Sequence, residues 1–151
     1  MSVCQSFIGV WPGSGEIDIV EARGNAPSYT YGGIDQIGST LHFGPNYLYD
    51  AWSTTHQTYQ LPPGQDFSQE FHVFGLYWNE TIMFTYLDTP DNVVLKVDTT
   101  TSFWSRGSSS QGWSSMSFAN PWVSGSVNAP FDQLYYIILN VAVGGWLCLR
   151  C

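Results

Sequence analysis

The sequence predicts an all-β protein built from antiparallel strands. Helical periodicity is hard to find in any window, because Gly, Pro, Ser and Asn interrupt each one. Short aromatic and β-branched runs recur between turn signals, which is typical of strands. Aromatic residues reach 17% while charged residues make up only 11%. With no internal repeat and no linker in 151 residues, we expect an antiparallel sandwich or barrel, as one domain or part of one.

The strand signals can be placed along the chain. Acidic and aliphatic residues alternate over 16–21, and two aromatic-rich runs flank Asn79-Glu80-Thr81, which predicts a hairpin. A nearly continuous apolar run over 135–143 predicts a strand buried on both faces. The expected strands are residues 16–21, 39–43, 72–78, 82–87, 93–98 and 135–143, and the expected loops are residues 47–69 and 99–130.

The charge balance excludes several classes of partner. Four basic residues face twelve acidic ones, for a formal charge of -8. Nucleic acids and anionic membrane surfaces both require clustered Lys and Arg, so neither is expected to bind. The longest apolar stretch, 134–143, is interrupted by Asn140 and is much shorter than the roughly 20 residues that span a bilayer. The richness in aromatic residues also argues against disorder.

The cysteines and the first residues say little about compartment. Cys4, Cys148 and Cys151 leave an odd count, and a single C-x-x-C without a second pair is weak evidence for zinc, so no metal is assigned. Residues 1–10 lack the basic segment and the long apolar run of a signal peptide. The glycosylation sequon Asn79-Glu80-Thr81 favours secretion slightly.

Three of the twelve acidic residues fall within one short segment. Side chains alternate between faces along a strand, so Glu16 and Asp18 share one face while the aliphatic residues between the acids point into the core. Glu21 breaks this alternation. One extra residue absorbed by a β-bulge at residues 19–20 would restore it and place all three carboxylates on one face.

Carboxylates held close together can serve as the catalytic groups of a glycosidase. Their repulsion raises at least one pKa and leaves a protonated acid beside an ionised base. The alternative is an edge strand whose acids simply face solvent. Trp11, just before the acidic segment, and the aromatic excess favour a sugar site, since sugar rings stack on aromatic planes. On these grounds both interpretations remain open.

The acidic segment resembles a known catalytic signature. Residues 15–25, GEIDIVEARGN, are similar to that of glycoside hydrolase family 16, in the form with an extra residue found in laminarinase-type endo-β-1,3-glucanases and their glucan-recognition relatives. The likeness continues in residues 39–45, where Phe43 stands where the family usually has Trp, and in residues 71–78 and 130–145. Four ordered blocks between residues 11 and 145 therefore carry the resemblance.

The resemblance implies a fold and an activity. The expected fold is a jelly-roll, concanavalin A-like β-sandwich, with residues 1–151 forming a partial catalytic domain that lacks N- and C-terminal strands. The implied activity is retaining endo-hydrolysis of internal β-1,3 bonds, or mixed β-1,3/1,4 bonds, of β-glucans. The alternatives are a non-catalytic β-1,3-glucan-binding protein on the same scaffold and a transglycosylase.

The resemblance also implies roles for individual residues. Glu16 is expected to be the nucleophile and Glu21 the acid/base, with Asp18 between them, although the spacing alone does not say which glutamate is which. Trp11 and His42 are expected to bind substrate, His42 from a neighbouring strand, with packing as the alternative for each.

Other candidates carry weaker implications. Arg23 and Asn25 are expected either to bind substrate or, with more weight, to fix the loop after the strand. His56 and His72 are expected to be structural, and Asp132 is expected to close a turn. The tryptophans at 104, 113 and 122 are expected either to line the cleft or to pack in the core or loops.

The same resemblance completes the expectations about partners. The expected ligand is a β-glucan polysaccharide, with no cofactor, no metal and no nucleic-acid or membrane partner, and the protein is expected to be a monomer. The expected location is extracellular or in a cell wall.

Overall fold

The strands form two antiparallel sheets in a computed structural model that describes residues 2–4 and 9–143. The strands are β1 (Ser2–Cys4), β2 (Glu16–Ala22), β3 (Gln36–His42), β4 (His56–Gln60), β5 (Phe74–Trp78), β6 (Ile82–Leu87), β7 (Val93–Asp98) and β8 (Tyr136–Ile138). One α-helix, α1 (Phe103–Gln111), and two 3₁₀ turns (Tyr47–Tyr49 and Trp52–Thr54) join them.

The strand order confirms the predicted all-β sandwich. One sheet runs β4-β3-β2-β1-β8 and the other β5-β6-β7, and every pairing is antiparallel. Within the described part of the chain, no helix is long and apolar enough to cross a membrane.

The core lies between the two sheets and continues under α1. Ile17 and Leu41 from the first sheet meet Met83 and Leu95 from the second, and each is at most 4% exposed. Phe43 extends this cluster by packing edge-on against an aromatic ring of α1, with the centroids 4.9 Å apart. Burial of this apolar area is the main favourable contribution to folding, and it clamps β2 and β3 from behind.

Several predicted strands are confirmed. β6 and β7 occupy residues 82–87 and 93–98 as predicted, and the hairpin through residues 79–81 is present. β2 extends one residue beyond the predicted 16–21 segment, and β3 begins three residues before the predicted 39–43 segment and ends one residue earlier. Period-2 patterning and turn chemistry are local signals, and for these segments they were sufficient.

The loop prediction for residues 99–130 is wrong, because this tract contains α1. The helix is rich in serine and has little intrinsic helical propensity. Its ends are defined instead by Ser102, whose side chain accepts from the Ser105 amide, and by Gly112, which ends the helix at φ 71°. Buried Phe103 and Gly107 hold one helix face on the core, so tertiary contacts stabilise what propensity did not predict.

The loop prediction for residues 47–69 is also wrong in part. β4 lies within it and pairs with β3, with Gln60 opposite Gln36 and His56 opposite Thr40. The HQTYQ segment has no clear apolar alternation. Its conformation depends on hydrogen bonds to a strand about twenty positions earlier, which no short window of sequence can register.

The long buried strand predicted over 135–143 is wrong. Only Tyr136–Ile138 is a strand, and it lies at the sheet edge, paired with β1. Ile137 is 68% exposed and Leu139 is 73% exposed. An apolar run predicts burial only where a second layer covers it, and among the described residues no strand pairs with the outer edge of β8. Residues 144–145 of the resemblance, and Cys148 and Cys151, lie outside the described residues.

The tryptophans of the second tract belong to the packing. Trp113 is fully buried and Trp122 is 5% exposed, so both pack in the core, which was one of the two expected alternatives. The half-buried Trp104 packs against Trp113 with the ring centroids 5.4 Å apart.

Replacing Gly107 with alanine tests the packing of α1. Alanine normally stabilises a helix interior relative to glycine, by about 1 kcal/mol. Here a Cβ at position 107 would strike the six-membered ring of Trp113, which is itself fully buried. We therefore expect Gly107→Ala to lower the free energy of unfolding by about 1–3 kcal/mol, the usual range for overpacking. Chemical denaturation measures this change.

The control for this variant is Ser109→Ala on the exposed face of the same helix. That change removes no contact in the core, and we expect the free energy of unfolding to stay the same or rise by a few tenths of a kcal/mol. A Gly107→Ala protein as stable as Ser109→Ala would contradict the packing described here.

Candidate active site

A β-bulge in β2 brings three carboxylates to one face of the sheet. β2 and β3 pair in register from Glu16 opposite His42 to Asp18 opposite Thr40, and the next pair is Glu21 opposite Gly38. Three steps along β2 thus correspond to two steps along β3. One extra residue is accommodated between Asp18 and Glu21, so the bulge predicted at residues 19–20 is confirmed.

The carboxylates are largely shielded from water. Glu16 is 3% exposed, Asp18 is 4% exposed and Glu21 is half-buried. Burial raises the pKa of Glu21, the Asp18 charge raises it further, and the opposing charges of His42 and Arg23 offset this only in part. The Glu21 side chain therefore keeps its proton to higher pH than an ordinary glutamate.

His42 lies between two carboxylates. Its Nε2 is 3.1 Å from Oδ2 of Asp18, and its Nδ1 is 2.6 Å from Oδ2 of Asp50. Burial by itself disfavours the charged ring, but hydrogen bonds to Asp18 and Asp50 outweigh this effect and raise the pKa of His42 to about 10. The ring is thus an imidazolium that donates one hydrogen to each carboxylate.

Asp50 is held in place by the turn that follows β3. Its Oδ1 accepts hydrogen bonds from the backbone N–H of Phe43 at 3.3 Å and of Trp52 at 3.1 Å. The second of these is an Asx turn, in which an aspartate caps the backbone two residues ahead. Sequence reasoning missed Asp50 as a site residue. The available signal was an aspartate poised to open a turn, which is too common to indicate a role in a site.

Aromatic rings form the wall beside the acids. The indole Nε1 of Trp11 donates to Oε2 of Glu16 at 2.7 Å, and its ring centroid lies 5.5 Å from that of His42. Trp52, which sequence reasoning also missed, lies 6.5 Å from the His42 ring and is 40% exposed. This combination of an oriented carboxylate and exposed aromatic surface suits recognition of a sugar.

Arg23 and Asn25 lie in the loop after β2. The Arg23 guanidinium donates to the carbonyl of Tyr31 at 2.6 Å, and the Asn25 carbonyl accepts from the Ile34 amide at 2.8 Å. Both contacts fasten the loop between β2 and β3. Arg23 also influences the acid cluster through its charge, which is one of those that lower the pKa of Glu21.

The other histidines and Asp132 lie in structural surroundings. His56 Nδ1 is 2.8 Å from the Thr40 hydroxyl, and burial followed by the His42 charge lowers the pKa of His56. His72 pairs with Asp88 at 3.0 Å, just before β5 and just after β6 of the other sheet. Asp132 accepts from the Ser126 amide at 2.7 Å and so closes a turn.

The acid cluster suits protons better than a metal ion. Glu16, Asp18 and His42 each offer one potential ligand atom, and these atoms lie within 4.8 Å of one another. A histidine ligand must be neutral and present a lone pair to the ion. Both ring nitrogens of His42 instead face carboxylate oxygens, Nε2 at 3.1 Å from Asp18 and Nδ1 at 2.6 Å from Asp50. The arrangement is organised to set the protonation of carboxylates.

Replacing Asp50 with asparagine tests the charge arrangement. His42 has a higher pKa in the folded protein than the usual 6.5, so its contribution to stability is complete below pH 6.5 and is lost as pH rises toward about 10. Loss of the Asp50 charge should lower the pKa of His42 and move this decline to lower pH. It should also reduce the free energy of unfolding by about 3 kcal/mol near neutral pH, since it breaks a buried pair. NMR titration of the His42 ring and denaturation across this pH range measure both effects.

The matched control is Asp88→Asn. Asp88 also bridges a histidine Nδ1 and a backbone amide, but its side chain is 46% exposed. Because the carboxylate of this pair is open to solvent, the pair should contribute only about 0–1 kcal/mol, so this variant should be nearly as stable as the wild type and leave the pKa of His42 unchanged. Equal losses in the two variants would contradict the buried imidazolium.

The chain is similar to several characterised proteins over most of its length. It is 45% identical over 137 residues to a beta-1,3-glucan-binding protein of Penaeus monodon, covering 91% of this chain and 35% of that protein. It is 37% identical over 142 residues to a glucan endo-1,3-beta-glucosidase of Cryptopygus antarcticus, covering 93% of this chain and 42% of that protein. The chain thus spans well under half the length of these relatives. No family model matches it.

The fold has a counterpart among solved structures. A glycoside hydrolase family 16 endo-glucanase from Bacteroides ovatus superposes with a TM-score of 0.51 at 20% sequence identity, covering 68% of this chain and 41% of that chain. The superposition shows the same sandwich. This shared fold, together with sequence relatives named as a glucan-binding protein and a glucan endo-1,3-beta-glucosidase, supports the resemblance to laminarinase-like members of glycoside hydrolase family 16.

Proposed function

We propose that this chain carries the catalytic strand of a retaining endo-glycosidase that hydrolyses internal β-1,3 bonds of β-glucans, including mixed β-1,3/1,4 chains. The observation that carries the proposal is the convergence of Glu16, Asp18 and Glu21 on one shielded face across the bulge of β2. Two similar proteins are named as glucan endo-1,3-beta-glucosidases, which supports the substrate class. Hydrolysis of an extracellular glucan also implies a secreted protein.

Glu16 is the nucleophile in this proposal. The indole N–H of Trp11 donates to Oε2 of Glu16 at 2.7 Å, which fixes the rotamer of the carboxylate without neutralising it. In the first step a Glu16 oxygen bonds to the anomeric carbon while the bond from that carbon to the leaving oxygen breaks. The Trp11 ring beside the carboxylate then offers a plane for the C–H face of the sugar.

Glu21 is the acid and then the base. Because its pKa is raised, Glu21 holds the proton that it donates to the leaving oxygen in the first step. The negative charge of Glu16 is one of the causes that raise this pKa. Once Glu16 becomes a neutral ester that contribution disappears, the pKa of Glu21 falls, and Glu21 can accept a proton from the water that releases the sugar.

Asp18 holds a fixed charge between the two glutamates. The His42 ring, held by Asp50 at 2.6 Å, lies 3.1 Å from Oδ2 of Asp18 and so fixes the position of that carboxylate. Among the carboxylates, Asp18 makes the largest contribution to the raised pKa of Glu21. Its role in the proposed reaction is to help keep Glu21 protonated.

A second candidate is binding of β-1,3-glucan without hydrolysis. One observation favours it: a similar protein, at 45% identity, is named as a beta-1,3-glucan-binding protein. The aromatic wall of Trp11 and Trp52 would serve such binding equally well. The presence of both glutamates in the shielded arrangement favours the enzyme.

Chemical rescue tests the proposed roles. Glu21→Ala should lower hydrolysis of laminarin by roughly 10²–10⁴-fold, the usual contribution of a general acid. Glu16→Ala should abolish it, because no covalent intermediate forms. On an activated β-glucoside, added azide should yield the α-glycosyl azide with Glu16→Ala and the β-glycosyl azide with Glu21→Ala, since azide takes the place of the missing group in each.

The exposed Glu70 provides the control, because Glu70→Gln lies outside the acid cluster and should leave turnover unchanged. Products of the opposite configuration would exchange the two roles. A wild-type protein that binds laminarin but releases no reducing ends from laminarin or from mixed-linkage glucan would support the non-catalytic binding function instead.

The pH profile tests the role of Asp18. Hydrolysis should fall on the alkaline side as Glu21 loses its proton, and this limb should lie above the range of an ordinary glutamate. Asp18→Asn removes the charge that helps to raise the pKa of Glu21, so the alkaline limb of kcat should move to lower pH. The profile of kcat against pH measures the shift. An alkaline limb that stays in place would show that Asp18 does not set the protonation of Glu21.

A further inference from the structure

The hairpin between β5 and β6 presents a feature that glucan hydrolysis does not use. Its three connecting residues, Asn79, Glu80 and Thr81, form the one N-x-S/T sequence in the chain, and all three are exposed. This hairpin belongs to the sheet that packs behind the catalytic strand. We propose that Asn79 is an N-glycosylation site, and that the Tyr77 ring forms the stacking platform for the first sugar.

The turn is built so that the glycan and the folded hairpin are compatible. Oδ1 of Asn79 accepts hydrogen bonds from the Thr81 amide at 2.9 Å, the Thr81 hydroxyl at 3.1 Å and the Ile82 amide at 2.9 Å. All of these use the amide oxygen. A glycosylated asparagine keeps that oxygen and one N–H, so the bonds that shape the turn survive the modification.

The amide nitrogen points along the strand toward an aromatic ring. Nδ2 of Asn79, one residue beyond the end of β5, donates to the Tyr77 hydroxyl at 3.1 Å. The Tyr77 ring is stacked on Phe84 with the centroids 4.9 Å apart and an angle of 16° between the planes. Phe84 therefore supports one face of the ring, while Tyr77 remains 46% exposed.

A supported and exposed ring beside the acceptor nitrogen suits the first sugar of a glycan. The C–H face of an N-acetylglucosamine attached to Nδ2 can lie on the Tyr77 ring without any change in the backbone. Asn79 and Trp78 also line a surface cavity of about 800 Å³, which leaves space beside the acceptor residue. Stacking covers apolar surface that the hairpin otherwise leaves in water, so the glycan should stabilise the fold.

The transfer is chemically ordinary once the chain enters a secretory pathway. The Asn79 nitrogen forms a bond to the anomeric carbon of an N-acetylglucosamine, and the bond from that carbon to the pyrophosphate of a lipid-linked oligosaccharide breaks. The pyrophosphate leaves with the electron pair, and the nitrogen loses one proton. The site does not depend on the roles proposed for Glu16 and Glu21, so the failure of either proposal leaves the other standing.

Secretion from eukaryotic cells tests the modification. The full chain behind a secretory leader should carry one glycan, located by enzymatic release in heavy-oxygen water, which converts the glycosylated Asn79 to a labelled aspartate. Thr81→Ala should abolish the glycan and Thr81→Ser should retain it. The control, Asn92→Gln, changes an asparagine outside the sequon, in the turn just before β7, and should leave glycosylation unchanged. Secreted, folded wild-type protein with unmodified Asn79 would overturn the proposal.

A thermodynamic cycle tests the stacking platform. Tm is measured for wild type and Tyr77→Ala, each with the glycan present and after its release. Stacking predicts that the glycan raises Tm in the wild type and raises it clearly less in Tyr77→Ala. An equal rise in both proteins would overturn the assignment of Tyr77, even where Asn79 is glycosylated.

Discussion

The imidazolium of His42, held between two carboxylates, allows the acid cluster to exist in the folded protein. Two nearly buried acids and a half-buried one share a face of β2, and their mutual repulsion in a poorly hydrated site opposes folding. The positive charge of His42 offsets this repulsion, because the ring contacts Asp18 on one side and Asp50 on the other. Because both ring nitrogens form hydrogen bonds, the orientation of the ring is fixed and the ring stays protonated. The pair of carboxylates also outweighs the burial that would otherwise neutralise the ring.

That arrangement depends on the pairing of β2 with β3. Antiparallel register puts His42 directly opposite Glu16, within reach of Asp18. The bulge then returns Glu21 to the same face. Behind these strands the aliphatic side chains pack into the core, which fixes the register because a slip by one residue would bury the acids in the apolar layer. The position of each charge is thus a consequence of hydrophobic packing on the opposite face.

The strongest local patterns predicted the corresponding parts of the fold. The alternation in β2, the hairpin at residues 79–81 and the apolar face of β7 all depend on neighbours within a few residues. α1 and β4 were missed because neighbours far along the chain stabilise them: the core under Phe103 and the edge of β3. The error over 135–143 has the same origin, since an apolar run does not reveal which surfaces will cover it.

The site divides in the same way. The amino-acid sequence by itself determined the acid triplet, its need for a bulge, the tryptophan before it and the sequon, because each is a matter of residue type and short spacing. Only the tertiary structure decided that Asp50 and Trp52 join the site and that His42 carries a charge. The physical reason is that pKa values depend on distance and burial. Contacts such as that between His42 and Asp50 exist only once the chain has turned back on itself after β3.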